Sequence, residues 1–186
     1  MKNIVDETCK VLGNGGTILY PTDTIWGIGC DACNENAVAR IYNIKHRDKG
    51  KSMLILVDSM EMMKKYTEFI PEIAEQLIDA ADRPLTIIYP KAKNLPKNLV
   101  AEDGSIGIRI VNDDFCRETI GVLGRPIVST SANLSGCNPP LGYCDIADEI
   151  KSEVDYIVPL RRDELSRNRN SDIVKVDASG NIQVIR

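Results

Sequence analysis

Two short segments carry residue types that handle phosphate. Lys45, Arg47, Lys49 and Lys51 crowd together with Asp48 as the only intervening acid. In an extended chain, residues i and i+2 point the same way. Lys45 and Arg47 therefore converge on one ligand if the helix preceding them ends near Lys45. A planar fork beside a mobile point charge suits a polyphosphate. The second segment is Ser129-Thr130-Ser131-Ala132-Asn133-Leu134-Ser135-Gly136, where Ser131 and Asn133 share the same i, i+2 relation. Backbone amides in such a turn can form an anion-binding concavity; the same residues also suit a hydrogen-bonded turn with an Asn cap. A third stretch, 20–29, brings Thr22, Asp23, Thr24, Gly27 and Gly29 together after Pro21. It reads either as a ligand-binding turn at a strand end or as a turn alone.

Several chemistries lack their residues. There is no GxxxxGK[ST] phosphate loop and no GxSxG elbow. The one histidine, His46, sits inside the basic run, a poor setting for a Ser-His-Asp triad, and is expected at the surface. Cys30-x-x-Cys33 has no second pair of suitable spacing, since Cys137 and Cys144 are too far apart in sequence, so a structural role is expected and no metal site. What remains is hydroxyls, amides and cations, groups that position a substrate and stabilise charge.

The chain has 186 residues, which predicts one domain over 1–186. Aromatics make up 5%, so the core must be mainly aliphatic. Net charge is −4, yet residues 40–51 and the stretch RRDELSRNRN at 161–170 are both basic. That concentration favours a localised anionic ligand over broad coating of nucleic acid; a solvated helix end is the bland alternative. The clearest apolar run, 53–57, is far short of the ~20 residues of a spanning helix. The N-terminus carries charges where a signal peptide needs an apolar stretch. A cytoplasmic protein with free thiols and no membrane contact is expected.

Elements that could position these residues alternate along the chain. Helical spacing marks 3–13, stopped at Asn14-Gly15-Gly16, and 35–45, capped by Asn34. Pro71 suits the first turn of a helix reaching about residue 81, and a further helix falls near 113–122. Strands are predicted at 17–20, 53–57, 85–89, 106–110 and 127–130, with weaker ones at 156–158, 172–176 and 182–185. This is an α/β pattern, a sheet flanked by helices. Stretch 161–170 has too little apolar content to anchor it and is expected to be mobile.

Taken in order, YPTDTIWGIGCDA, IKHR, RPLTIIYP, GIRI and STSANLSG resemble the YrdC-like family from about Gly15 to Arg186. The resemblance implies a single-domain form, a twisted mixed sheet with a basic concave face. Its members are threonylcarbamoyl-AMP synthases, joining L-threonine, bicarbonate or CO2 and ATP with release of pyrophosphate, on the way to threonylcarbamoyl-adenosine in tRNA. By the same resemblance Lys45 and Arg47 are the catalytic KxR pair and contact the ATP phosphates. Ser131 and Asn133 are the SxN pair beside the nucleotide, and Arg186 reaches the nucleotide too. Thr22, Thr24, Lys51, Arg109 and Ser171 fall where the family holds threonine. Departures are Asp48 where members carry Pro, Ser52-Met53 in place of a Pro-Leu or Gly-Leu pair, and Arg83 in place of Gly.

The implied chemistry suits the inventory. A threonine amine captures CO2 without a strong base, and the carbamate attacks the α-phosphate; positioning, cations and Mg2+ carried by ATP suffice. The implied partners are ATP, L-threonine and bicarbonate, with tRNA and the downstream threonylcarbamoyl-transfer complex beyond them. Two other readings stand beside the synthase: a YrdC-like module that binds RNA without making the adenylate, and a carbamoyl-transferring maturation factor. The short chain and the absence of zinc-finger-like Cys pairs speak against the latter.

Overall fold

The computed structural model describes residues 1–48, 51, 53–165 and 170–186. In chain order the elements are α1 (Lys2–Gly13), β1 (Thr17–Tyr20), β2 (Gly27–Cys30), α2 (Glu35–Ile44), β3 (Leu54–Val57), α3 (Met60–Met63), α4 (Glu72–Ala80), β4 (Leu85–Tyr89), β5 (Ile106–Ile110), α5 (Asp114–Leu123), β6 (Ile127–Ser131), α6 (Asp148–Glu153), β7 (Tyr156–Ile157), β8 (Asp172–Val176) and β9 (Ile182–Val184). The strands form one sheet in the order β7-β1-β2-β6-β3-β5-β4-β8-β9. The sheet is mixed. The pairs β1–β7, β3–β5 and β4–β8 run parallel, and the others antiparallel.

Local chemistry sets the ends of the helices that matter for the site. The Asn34 side chain accepts from the Ala37 amide and starts α2. That helix ends at Ile44, with Lys45 as its last half-turn, so Arg47 leaves in a different direction from the helix rows. Asp113 caps α5 by accepting from the Cys116 amide, and Gly124, at φ 67°, closes it in the left-handed conformation. Pro71 stands at the extended cap position just before α4, not inside its first turn.

The largest departure from the sequence reading is β2. Gly27 and Gly29 belong to a strand paired with β1 and, through Gly27 and Ile28, with β6, not to the turn before it. A Cβ on Gly29 would lie 2.6 Å from the Val128 carbonyl oxygen and 2.7 Å from the Tyr20 ring. The glycine makes room for Tyr20, which is buried across it between β1 and β6. The core is aliphatic as the composition requires, with Ile18, Leu19, Ile28, Ile41, Ile55 and Leu56 among its fully buried members.

Candidate active site

A cavity of about 610 Å³ lies on the face of the sheet between the β1–β2 turn and the C-terminal strands. Its floor follows the two-residue period of strands. Gly107 and Arg109 face it from β5, Thr86 and Ile88 from β4, and Ile173 and Lys175 from β8, while the end of β6 lines it with Ser129, Thr130 and Ser131 in succession. Thr24, Trp26 and Gly27 close one wall, and Arg47, Ser171 and Arg186 are also among the lining. Among the described lining residues, four cations (Arg47, Arg109, Lys175 and Arg186) face two carboxylates, Glu102 and Asp103.

Of the four lining cations the most deeply held is Arg109, only 3% exposed. Its Nη2 lies 3.1 Å from Asp23 Oδ1, and its Nη1 donates to Thr24 Oγ1 at 3.3 Å. Asp23 also accepts from the Asn112 amide at 3.1 Å. The turn that supplies both partners is locked from inside. Thr22 Oγ1 accepts from the Thr24 amide at 3.0 Å, contacts Thr24 Oγ1 at 2.9 Å, and donates to the Ile25 carbonyl at 2.8 Å. Thr22 itself does not line the cavity; it shapes the turn from which Thr24 does. A guanidinium with one carboxylate partner, set beside a hydroxyl in a concave site, is fitted for a second carboxylate.

Ser171 is buried and its hydroxyl pairs with Thr86 Oγ1 at 2.8 Å. Its carbonyl accepts from Arg186 Nε at 3.2 Å and Nη2 at 3.0 Å. Those bonds fold the C-terminal arginine back over the cavity. Arg47 reaches the cavity too, and its Nε donates to the Lys51 carbonyl at 3.0 Å. Lys51 contributes that carbonyl; its side chain is exposed and is not among the cavity lining.

Lys45 behaves differently from its sequence partner. It is 1% exposed, and its ammonium donates to the carbonyls of Ser131 and Asn133. Two segments that stood 86 residues apart in sequence are thus joined through one cation. The Asn133 amide supports the same turn, donating to the Leu134 and Cys137 carbonyls at 2.9 and 2.8 Å. Neither Lys45 nor Asn133 is among the cavity lining; Ser131 is. Burial, and secondarily the charge of Arg47, push the Lys45 ammonium down from 10.5 to about 8. Its Cε resonance should therefore titrate near pH 8, well before the exposed lysines; titration together with them would show an ammonium in water. The sign for stability follows. Between about pH 8 and 10.5 the unfolded chain holds a proton that the native state has shed, so this lysine's contribution to stability rises with pH across that window.

One family model, described under the heading telomere recombination and covering the Sua5, YciO and YrdC proteins, matches residues 10–186. The chain belongs to the Sua5/YciO/YrdC family. The threonylcarbamoyl-AMP synthase of Pseudoalteromonas translucida is 32% identical over 178 residues, 94% of this chain and 92% of that protein. A Methanocaldococcus jannaschii relative that carries the same name provisionally is 35% identical over 177 residues, covering 95% and 82%. The crystal structure of P. abyssi Sua5 complexed with L-threonine superposes with a TM-score of 0.82 at 26% identity, over 92% of this chain and 50% of that one. The chain thus spans about half the length of the P. abyssi Sua5 structure.

Within this Sua5/YciO/YrdC domain, sequence reasoning did not single out Asp103 and Lys175 at the cavity. Lys175 Nζ pairs with Asp103 Oδ2 at 2.5 Å, and Ser105 donates to the same carboxylate. These contacts hold the Asp103 carboxyl down at about 2. The two residues lie 72 positions apart, and nothing local marks them as a pair. Of the arginines in 161–170, Arg161 binds Asp113 and Arg162 donates to the Ile157 carbonyl while lying 5.1 Å from the Tyr143 ring. Arg167 and Arg169 lie outside the described residues. Cys30 is fully buried, and burial pushes its thiol up, a core position and not a nucleophile's. His46 is exposed, 3.2 Å from Glu149. Among the described residues no helix is long and apolar enough to cross a membrane.

Proposed function

We propose that this chain makes threonylcarbamoyl-AMP from L-threonine, bicarbonate or CO2 and ATP. The observation that carries the reading is the pairing, in one cavity, of Arg109 and Thr24, backed by Asp23, with the separate cations Arg47 and Arg186. The first suits an amino-acid carboxylate and the second a triphosphate. The relatives' names point to the same activity. Threonine sits with its carboxylate on Arg109 and its hydroxyl near Thr24 and Ser171. Its amine takes up CO2 to give a carbamate. A carbamate oxygen attacks the α-phosphorus, the bond to the bridging oxygen breaks, and pyrophosphate leaves. Arg47 and Arg186 hold phosphate oxygens, while Lys45 and Asn133 shape the turn that presents Ser131. The basic lining favours the negative charge of the transition state. Lys51 stays outside the proposed site because its side chain does not reach the lining. ATP enters as its magnesium complex, with the ion held by the phosphates; the described residues contain no cluster of three or more His, Cys, Asp or Glu side chains able to cage a metal. The product's use in tRNA modification, through a downstream transfer complex, belongs to the same proposal.

Pyrophosphate release should need threonine, bicarbonate and ATP together. Full-rate release with threonine omitted removes the synthase reading. Absence of any threonine-dependent release, with RNA still bound, favours the RNA-binding module. Serine should be accepted more weakly, since one missing methyl contact discriminates by only ~1–3 kcal/mol.

A further inference from the structure

Arg161 has φ of 52°, in the left-handed region that glycine adopts freely and a residue with a Cβ seldom does. Its guanidinium gives that strained position a use. Nη2 donates to Asp113 Oδ2 at 2.6 Å, and Nη1 donates to the Thr22 carbonyl at 3.3 Å. Asp113 is fixed independently, because its other oxygen caps α5. The first turn of α5 also holds the preceding carbonyl, since Cys116 Sγ donates to Pro21 O at 3.6 Å. Two successive carbonyls of the β1–β2 turn are thus tied to one helix end, the first directly and the second through Arg161.

From Thr22 the chain of contacts runs inward. Thr22 Oγ1 meets Thr24 Oγ1 at 2.9 Å, and Thr24 Oγ1 accepts from Arg109 Nη1. Arg161 does not line the main cavity. It lines a second one of about 490 Å³, whose wall includes Asp23, the ion-pair partner of Arg109. It therefore acts on the site only from behind.

We infer that Arg161 is a positioning residue for the threonine end of the site, holding the Thr22 backbone so that the Thr24 hydroxyl and Arg109 meet the amino acid in register. This rests on the threonine reading above. Strain retained where glycine would fit is the signature of a residue kept for its side chain. Loss of the guanidinium should loosen amino-acid binding without touching the nucleotide.

Arg161→Gly separates the two roles, because glycine relieves the backbone while removing the side chain. Steady-state pyrophosphate release by the full chain, with threonine and ATP varied in turn, is the measurement. Arg161→Gly should melt close to the wild type and raise the threonine KM about tenfold, the scale of one charge-assisted hydrogen bond, with the ATP KM within about twofold. Arg161→Lys should recover part of the loss, since an ammonium can meet Asp113 but lacks the fork that also spans to Thr22. An unchanged threonine KM, or equal rises for both substrates, overturns the inference. Arg109→Ala run beside it distinguishes the two failures. If Arg109→Ala loses threonine and Arg161→Gly does not, the positioning role falls and the site stands. If neither variant affects threonine, the site reading falls and the inference with it. Should Arg161→Gly fail to fold, Asp113→Asn keeps the helix cap and drops the charge, and is read by the same two outcomes.

Discussion

Arg109→Ala should lower kcat/KM for threonine by about 100-fold or more while also destabilising the fold. Two effects combine. The ligand carboxylate loses charge-assisted hydrogen bonds of about 1.5–3 kcal/mol each. The protein keeps Asp23, 8% exposed, without the guanidinium that faces it at 3.1 Å. Breaking a buried ion pair from one side costs about 3–5 kcal/mol, because the surviving charge stays desolvated. The double variant Asp23→Asn with Arg109→Gln separates the effects. It removes both charges and should restore most of the stability while leaving threonine turnover low. Chemical denaturation and substrate kinetics on Asp23→Asn, Arg109→Gln and the double complete the cycle. Recovery of turnover in the double variant would show that Arg109 serves the fold and not the substrate.

The fold was legible where local chemistry acts alone. Asn34 is a cap whose side chain reaches a backbone amide three residues on, so the start of α2 followed from the sequence; α5 falls where a helix near 113–122 is expected, with Asp113 as its cap. The run 53–57 and the alternations at 85–89 and 106–110 became β3, β4 and β5 nearly as read. Strand β2 was not legible, because its glycines answer to Tyr20 and Val128 across the sheet, a contact with no local signature. The site divided in the same way. Thr24, Arg47, Arg109, Ser131, Ser171 and Arg186 do meet in one cavity. The i, i+2 logic failed for Lys45. Its backbone is still helical at the cap, which turns the side chain inward to the Ser131 and Asn133 carbonyls instead of alongside Arg47. The KxR and SxN segments are linked, but by one cation satisfying two carbonyls and not by four side chains facing one ligand. Asp103 and Lys175 required the register of β8 on β4 before they could be seen together.

That division between Lys45 and Arg47 shapes the expectation for Arg47→Ala. The ATP KM should rise about 10–100-fold, the equivalent of one phosphate contact of about 1.5–3 kcal/mol, with the threonine KM little changed. Stability should hold, because Arg47 is part-exposed in the cavity wall and not a core residue. Arg47→Lys should recover only part of the affinity. A lysine keeps the charge but cannot orient itself through an Nε–H while presenting two further donors to a phosphate. The loss in Arg47→Ala should also shrink as ionic strength rises, since an exposed cation is screened where a buried one is not. Equal ATP affinity in the wild type and Arg47→Ala would move the nucleotide off this wall of the cavity. It would leave Lys45, already committed to the backbone, with no partner for a triphosphate.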